Sequence, residues 1–385
     1  MSRKILLVTT VGWSSVPRYA AGFVAAGCEI EAFAPAHAPV MASRYVSQHH
    51  LYDAFTPISA LRQAVENSDC DLLVACDDRA VNILLRFAQV DEGAFRPLVS
   101  RSLGRLEAYA DVLSRNGSIV ALRDAGVPVP DTFAVPNEET LDAVLSQIGF
   151  PAVIKADGSW GGDGVAIVED RDQAIAAFRR LSNPPSRLRS VARAVRRKDV
   201  HFLFDALSPV RREISVQRFI PGTSAASGFA CWEGKVVGLI CYDILASDGT
   251  IGPPNVIRRV DDPEMERASR IAAERFGLSG LHGLDFIRDR DGHVHAIEIN
   301  PRATQGGTLP FGPGRDLPAG LAAAAFGAID GMRDAIVNNT VVLFPREWQH
   351  DAQSAWLKTG HHDVPWDDPK VFRMALGMPG KRKSA

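Results

Sequence analysis

The chain has 385 residues, of which 46% are hydrophobic and 23% charged, and its formal net charge is -2. This composition is typical of a globular protein and argues against a disordered chain, a collagen-like fibre or a polyanion-binding protein. No apolar run approaches the roughly 20 residues that span a bilayer, and the first residues lack a secretory-signal pattern. We expect a cytoplasmic protein of two or three domains with no nucleic-acid or membrane partner.

The first hundred residues alternate strand and helix patterns. Strand-like runs at 4–10, 29–34 and 71–76 surround a helical pattern at 18–26, and another helix follows Asp77-Asp78-Arg79. This order predicts a parallel α/β domain, which collects ligands at the carboxyl ends of its strands. The loops at 9–15 and 77–79 are therefore candidate substrate walls, although a helix cap explains Asp77 and Asp78 equally well.

A helical connector at 106–125 leads to Gly126-Val-Pro-Val-Pro130, where two prolines predict extended chain and a nearby domain boundary. Asn137 is expected to cap the next helix, which stops at Gly149. The basic segment 187–212 is interpreted as a solvated helical insertion of unassigned role.

A glycine-rich loop separates two strand-like runs at 152–156 and 165–168. Its four glycines let backbone N–H groups close over phosphate oxygens, because they carry no Cβ. They are Gly158, Gly161, Gly162 and Gly164. A tight β-turn is the structural alternative, but Lys155 on the entering strand can neutralise a phosphate from below. A strand lysine that only reaches toward solvent is the remaining alternative.

The second half of the chain reads as antiparallel β-structure. Strands are predicted at 213–220, 227–232, 235–242, 283–288 and 293–299, with helices at 262–276 and 317–329. The last forty residues show no motif.

Asp285 and Glu298 lie on two consecutive predicted strands joined by a tight Asp-Gly turn, so hairpin pairing should place them opposite each other. Asn300, two residues on, faces the same side as Glu298. Sparse oxygen ligands are what Mg²⁺ requires, whereas facing carboxylates without a cation would repel. Arg302 keeps its charge and suits an anionic phosphate or acyl oxygen.

The ordered set of these motifs resembles the ATP-grasp superfamily over roughly residues 115–302. The set comprises the Lys155 strand, the glycine-rich loop, Gln217-Arg-Phe-Ile220-Pro-Gly, Asp285 and Glu298-Ile-Asn300-Pro-Arg302. The resemblance implies an α/β plus α+β fold, in which an amino-terminal parallel α/β domain precedes two lobes that clasp ATP. We place the amino-terminal domain at 1–112, the small lobe with the glycine-rich loop at 113–217, the large lobe with the metal site at 218–345 and a carboxy-terminal extension at 346–385.

By the same resemblance, Asp285, Glu298 and Asn300 bind magnesium, with two ions expected and Mn²⁺ as a substitute. Lys155 and the glycine-rich loop contact the ATP phosphates. The remaining nucleotide contacts implied are Arg115, where many members have lysine, Gln217, Phe219 and Ile220 of the interlobe hinge, and Ile297 against the adenine ring. The hinge position of Gln217 commonly carries an acid. Lys155, Arg302 and Arg258 are the implied catalytic residues, since Arg258 or Arg302 replaces a basic residue that some members carry before the first metal ligand.

The implied activity is ATP-dependent ligation of a small-molecule carboxylate to an amine through an acylphosphate, with release of ADP and phosphate. A carboxylase-type enzyme that forms carboxyphosphate from bicarbonate is the first alternative. A non-catalytic nucleotide-binding module is the second. The substrates are small molecules of unassigned identity. The sequence does not fix the oligomeric state, and a homodimer is one of the options.

Overall fold

Three β-sheets organise the part of the chain that the structure, a computed structural model, describes. The described residues are 3–377, except 91–92, 94, 159–163, 184–189, 193, 196–198, 203, 205–210, 250–251 and 328. Within them, no helix is both long and apolar enough to cross a bilayer.

The amino-terminal sheet is parallel and has the order β3-β2-β1-β4, as the alternating pattern predicted. Its elements are β1 Lys4–Val8, α1 Val16–Ala25, β2 Glu29–Ala34, β3 Gln48–Leu51, α2 Pro57–Ser68, β4 Leu72–Ala75, α3 Asp78–Val90 and α4 Arg96–Leu103. The side chains at 5–8 are fully buried, because helices cover both faces of such a sheet.

The connector predicted as one helix is divided in the structure. A 3₁₀ turn at Leu106–Ala108 precedes α5, Tyr109–Leu113, and α6, Arg115–Asp124. Ser114 takes an extended conformation and its side chain accepts a hydrogen bond from the backbone N of Gly117. This N-cap starts a new helix whose first residue is Arg115.

The second sheet is antiparallel, with the order β5-β8-β6-β7. Its elements are β5 Thr132–Ala134, α7 Glu138–Ile148, β6 Ala152–Ala156, β7 Val165–Val168, α8 Arg171–Ser182 and β8 Ile214–Arg218. Asn137 caps α7 as expected, accepting from the backbone N of Thr140. α7 and α8 cover the sheet with apolar side chains such as Leu141 and Phe178.

The third sheet has seven strands in the order β13-β12-β9-β10-β11-β14-β15. Its elements are β9 Gly222–Trp232, β10 Lys235–Ser247, β11 Pro254–Val260, α9 Pro263–Phe276, β12 Gly280–Asp289, β13 Val294–Asn300, α10 Leu317–Phe326, β14 Thr340–Val342, α11 Arg346–His350, α12 Trp356–Thr359, β15 His361–His362 and α13 Pro369–Ala375. Both predicted hairpins are present; β9, β10 and β12 are longer than predicted, and β13 is shifted by one residue. The strand β11 was not predicted.

The carboxy-terminal segment joins two parts of the molecule. β15 pairs with β14 in the seven-stranded sheet, while Asp363 forms an ion pair with Arg18 of α1. Asp368 accepts a hydrogen bond from the Ser43 hydroxyl at 2.6 Å. The division into four ranges stays a prediction, and β15 shows that the range 346–385 contributes to the third sheet.

Candidate functional site

Lys155 lies in the middle of the second sheet and its residue is only 4% exposed. Its strand β6 pairs with β7 on one side and β8 on the other. The Nζ atom donates a hydrogen bond to the carbonyl oxygen of Ile297 at 3.1 Å. This carbonyl is available because a bulge in the β12–β13 pairing leaves Ile297 without a register partner. The lysine therefore reaches from the second sheet to the third.

Asp285 and Glu298 are paired across β12 and β13, as the hairpin argument predicted. The Asn300 Nδ2 donates to Asp285 Oδ2 at 3.1 Å. Two carboxylates and an amide thus lie together on one edge of the third sheet, facing the strand that carries Lys155.

Arg115 supplies a second cation to the same place. Its Nη1 is 3.0 Å from Glu298 Oε2, and its backbone N donates to Asp157 Oδ1 at 3.3 Å. The Ser114 cap sets this position, because it makes Arg115 the first residue of α6. Glu298 therefore lies beside a guanidinium that could turn toward a phosphate.

Burial shifts the protonation of three groups in this cluster. Burial lowers the pKa of Lys155 to about 8, against the opposing effect of Glu298. Burial, reinforced by Glu298, raises the pKa of Asp285 to about 6. Burial likewise raises the pKa of Asp157 to about 6. Such shifted groups in a cleft are typical of functional sites.

The resemblance implies that Lys155 contacts the nucleotide phosphates, which would favour its protonated form. On that basis we expect ADP affinity to fall as the pH rises through about 8. Above this pKa the free protein must take up a proton on binding, which costs up to about tenfold in affinity per pH unit. Calorimetric titration of MgADP at pH 7 and pH 9 measures the change, and Lys155→Met should remove the proton uptake. Equal affinities at both pH values would contradict the prediction.

The donor set of Asp285, Glu298 and Asn300 fits Mg²⁺. Two carboxylate oxygens and one amide oxygen are hard ligands, and they leave positions for water and phosphate. Among the described residues, no group of three or more His, Cys, Asp or Glu side chains is arranged to hold a metal. The candidate site depends instead on two carboxylates with an amide.

Arg302 lies next to these groups and is anchored by several partners. Its Nη2 donates to Asn300 Oδ1 at 3.0 Å and its Nη1 to the Ala303 carbonyl at 3.3 Å. Its Nε donates to Asp78 Oδ2 at 3.2 Å. A guanidinium has five N–H donors, so two are left for an anionic ligand.

The glycine-rich loop is described only at its two ends. Gly158 has a φ of +66°, a conformation that favours glycine. The Ala156 backbone N donates to the Gly164 carbonyl at 2.9 Å and closes the loop at its base. Gly161 and Gly162, predicted to contact phosphate, lie outside the described residues.

The hinge residues occupy two different positions. Gln217 is buried inside β8, and its Nε2 donates to the Thr132 hydroxyl at 3.0 Å. Phe219 and Ile220 lie between β8 and β9, in the chain that crosses from the second sheet to the third, and line a hollow with His295. The contact of Gln217 with a nucleotide stays a prediction, and the structure already uses its side chain elsewhere.

Arg258 is not brought to the cluster. Asp285 is in register with Ala226, Tyr242 and Arg259 on the successive strands β9, β10 and β11. Residues in register share a face of the sheet, so Arg258, one residue before Arg259, points to the opposite face. Its side chain is exposed, and three strand spacings of about 4.8 Å separate it from β12. We leave it out of the site.

Two of the three candidate wall residues after β4, Asp77 and Arg79, also have defined partners. Asp77 is buried and accepts hydrogen bonds from Thr9 and Thr10, including the Thr10 backbone N at 2.6 Å. Arg79 forms an ion pair with Asp199. Asp77 therefore has a structural role in the β1–α1 loop, in line with the helix-cap alternative, since it also accepts from the Ala80 backbone N.

Two contributors were missed from sequence. Asp157 gave no signal, because an acid beside a glycine-rich loop is common in turns. Trp13, whose ring centroid is 4.9 Å from the Arg302 guanidinium carbon, lies in the loop 9–15 that was considered only as a substrate wall.

Comparison with known proteins places all of this cluster except Arg115 inside a recognised domain. Residues 117–306 match a family model described as an ATP-grasp domain. The matched range contains Lys155, Asp285 and Glu298, while Arg115 lies two residues before it.

Curated proteins show modest similarity, as two of them illustrate. The chain is 25% identical over 233 residues to the carbamoyl phosphate synthase large chain of Mycobacterium sp. (strain JLS), covering 59% of this chain and 18% of that protein. It is 26% identical over 180 residues to the D-alanine--D-alanine ligase of Chromohalobacter salexigens, covering 46% of this chain and 51% of that protein. The match thus spans less than two thirds of either relative.

Among solved structures, biotin carboxylase from Campylobacter jejuni in its β,γ-ATP complex has the same fold. The TM-score is 0.61 at 15% identity, over 87% of this chain and 72% of that one. The expected fold class, a parallel α/β sheet followed by antiparallel lobes, is confirmed.

Proposed function

We propose that this chain, whose residues 117–306 form an ATP-grasp domain, is an ATP-dependent ligase for a small-molecule carboxylate and an amine. The reaction would pass through an acylphosphate and release ADP and phosphate. The observation that carries the proposal is the pairing of Asp285 with Glu298 across β12 and β13, opposite Lys155 and Arg115.

The cations of the cluster suit a triphosphate. Lys155 and Arg115 both lie within reach of the acidic edge of the third sheet, so a bound phosphate chain would share their positive charge. Bound Mg²⁺, held by Asp285, Glu298 and Asn300, would neutralise developing charge on the phosphate oxygens. Gly158 and Gly164 are the described ends of the glycine-rich loop, and in the proposed function this loop would exclude water.

The acid substrate is assigned to Arg302. Its guanidinium is held by Asp78, Asn300 and the Ala303 carbonyl, and its two remaining N–H groups match the two oxygens of a carboxylate. One carboxylate oxygen attacks the γ-phosphorus as the bond to ADP breaks. The amine then attacks the acyl carbon, phosphate leaves, and the proton of the amine passes to solvent.

A carboxyphosphate-forming activity on bicarbonate is the second candidate. It is favoured by the similarity to carbamoyl phosphate synthase large chains, although the match covers only a small part of those proteins. A non-catalytic nucleotide-binding module is disfavoured by the complete donor set of Asp285, Glu298 and Asn300.

ADP formation separates the three candidates. Purified protein with MgATP is assayed alone, with bicarbonate, and with pairs of carboxylic acids and amines, and products are identified by mass spectrometry. We expect turnover that requires both an acid and an amine. Turnover with bicarbonate alone would favour the second candidate, and MgATP binding without turnover would favour the third.

Three further expectations stay predictions. Metal titration of turnover tests whether two ions are needed and whether Mn²⁺ substitutes for Mg²⁺. Light scattering after size-exclusion chromatography tests whether the protein is a homodimer.

A further inference from the structure

The segment that follows β13 is attached to the amino-terminal sheet. The Ala303 backbone N donates to the carbonyl oxygen of Ala75, the last residue of β4, at 3.0 Å. The Tyr19 hydroxyl of α1 donates to the Thr304 carbonyl at 2.5 Å. Arg302 directly precedes both contacts, so its backbone is fixed against the carboxyl end of the parallel sheet.

Two side chains of the amino-terminal sheet also hold the Arg302 guanidinium. Asp78, the first residue of α3, accepts from Nε at 3.2 Å. The guanidinium lies over the Trp13 ring, 4.9 Å from its centroid. With the Arg302 side chain only 14% exposed, these contacts are poorly screened by solvent.

The consecutive aspartates after β4 have separate tasks. Asp77 binds Thr9 and Thr10 and so fixes the start of the loop that carries Trp13. Asp78 binds Arg302 itself. Neither task can be transferred to the other residue, because Asp77 is buried beneath the loop and Asp78 is half-exposed beside it.

The contact continues from Arg302 to the metal ligands. Arg302 Nη2 donates to Asn300 Oδ1 at 3.0 Å, and Asn300 Nδ2 donates to Asp285 Oδ2 at 3.1 Å. An arginine only donates and an ionised carboxylate only accepts, so the amide has one allowed orientation. Arg302 thus holds the Asn300 oxygen at a fixed place, while the amide nitrogen faces Asp285. Releasing Arg302 would let the amide rotate, and the oxygen proposed as a metal ligand would lose its fixed place.

We propose that Asp78 is a positioning residue for the metal site: it holds Arg302 in place and, through Arg302, fixes the orientation of the Asn300 amide. This inference rests on the proposed function, which assigns Asn300 and Asp285 to the metal. It makes the amino-terminal domain, which supplies none of the proposed metal ligands, a determinant of metal affinity.

The test is calorimetric titration of the protein with ADP, once in a buffer that contains MgCl₂ and once in a buffer that contains EDTA. Asp78→Asn should weaken ADP binding by about tenfold or more in MgCl₂, the usual effect of removing a residue that orients a metal ligand. Binding in EDTA should be unchanged. Asp78→Glu keeps the charge and should recover part of the loss, and Glu66→Gln, on the exposed face of α2, should bind like the unchanged protein.

Arg302→Lys keeps the charge but loses the forked geometry, so it should show the same magnesium-specific loss. The double variant Asp78→Asn, Arg302→Lys should lose no more than either single variant, because both act through one chain of contacts. If circular dichroism shows that Asp78→Asn does not fold, Asp78→Glu and Arg302→Lys decide the question.

Unchanged ADP affinity in MgCl₂ for a folded Asp78→Asn variant would overturn the inference, and so would equal losses in MgCl₂ and EDTA. Failure of the proposed function would give another result, seen in the unchanged protein. If the unchanged protein binds ADP no better with MgCl₂ than with EDTA, the metal site itself is refuted.

Discussion

Glu298→Gln should reduce turnover of the acid and amine pair found in the ADP-formation screen by about 10²–10³-fold, which corresponds to about 3–4 kcal/mol of lost transition-state stabilisation. Glutamine has the shape of glutamate and can still accept from Arg115, but it removes one of the two carboxylates that face each other across β12 and β13. The expected loss is therefore one of metal binding, with the fold retained.

Rates of ADP formation across a MgCl₂ titration measure this effect. The variant should need more magnesium and should not reach the original rate at saturation. Glu274→Gln, an exposed position at the end of α9, is the matched control and should leave the rate unchanged. A Glu298→Gln variant with the original rate and magnesium requirement would remove Glu298 from the site.

Lys155→Met should lower the same turnover by a similar factor of about 10²–10³, the range seen when one donor to a transition-state anion is removed. Methionine fills the space of the buried lysine stem without its charge. The variant loses the ammonium group, and with it the hydrogen bond to the Ile297 carbonyl and the charge that would neutralise the transferring phosphoryl group. The packing of β6 should be kept.

ADP formation at pH 7, where the Lys155 ammonium predominates given its pKa of about 8, is the measurement. Lys235→Met, exposed at the start of β10, serves as the control for loss of a lysine charge. Unchanged turnover in Lys155→Met would show that the lysine only packs between the two sheets.

Local features of the site were predictable from sequence. The pairing of Asp285 with Glu298 follows from a hairpin whose turn residues and alternation are both visible in the sequence. The position of Lys155, on a strand directly before a glycine-rich loop, also follows from neighbouring residues in the sequence. The strand β11 was missed because Pro253 and Pro254 suggested a loop, although only the first residue of β11 is a proline.

Contacts between distant residues could not be predicted. Arg115 and Glu298 are 183 positions apart, and Asp78 and Arg302 are 224 apart, so no periodicity connects them. The face on which Arg258 lies depends on the register of four strands, and a shift of one residue reverses it. Such information comes from the packing of sheets and not from a local pattern.

The double attachment of the carboxy-terminal segment limits how the molecule can move. Because this segment bonds to Arg18 and Ser43 on one side and to β14 on the other, we expect the first and third sheets to move together. Rotational freedom then belongs to the second sheet, which two chain crossings at 125–131 and 219–221 connect to the other two sheets. In the proposed function, movement of the second sheet during nucleotide exchange would carry Lys155 away from Asp285 and Glu298. These two proposed metal ligands lie on paired strands of the third sheet and would keep their mutual geometry.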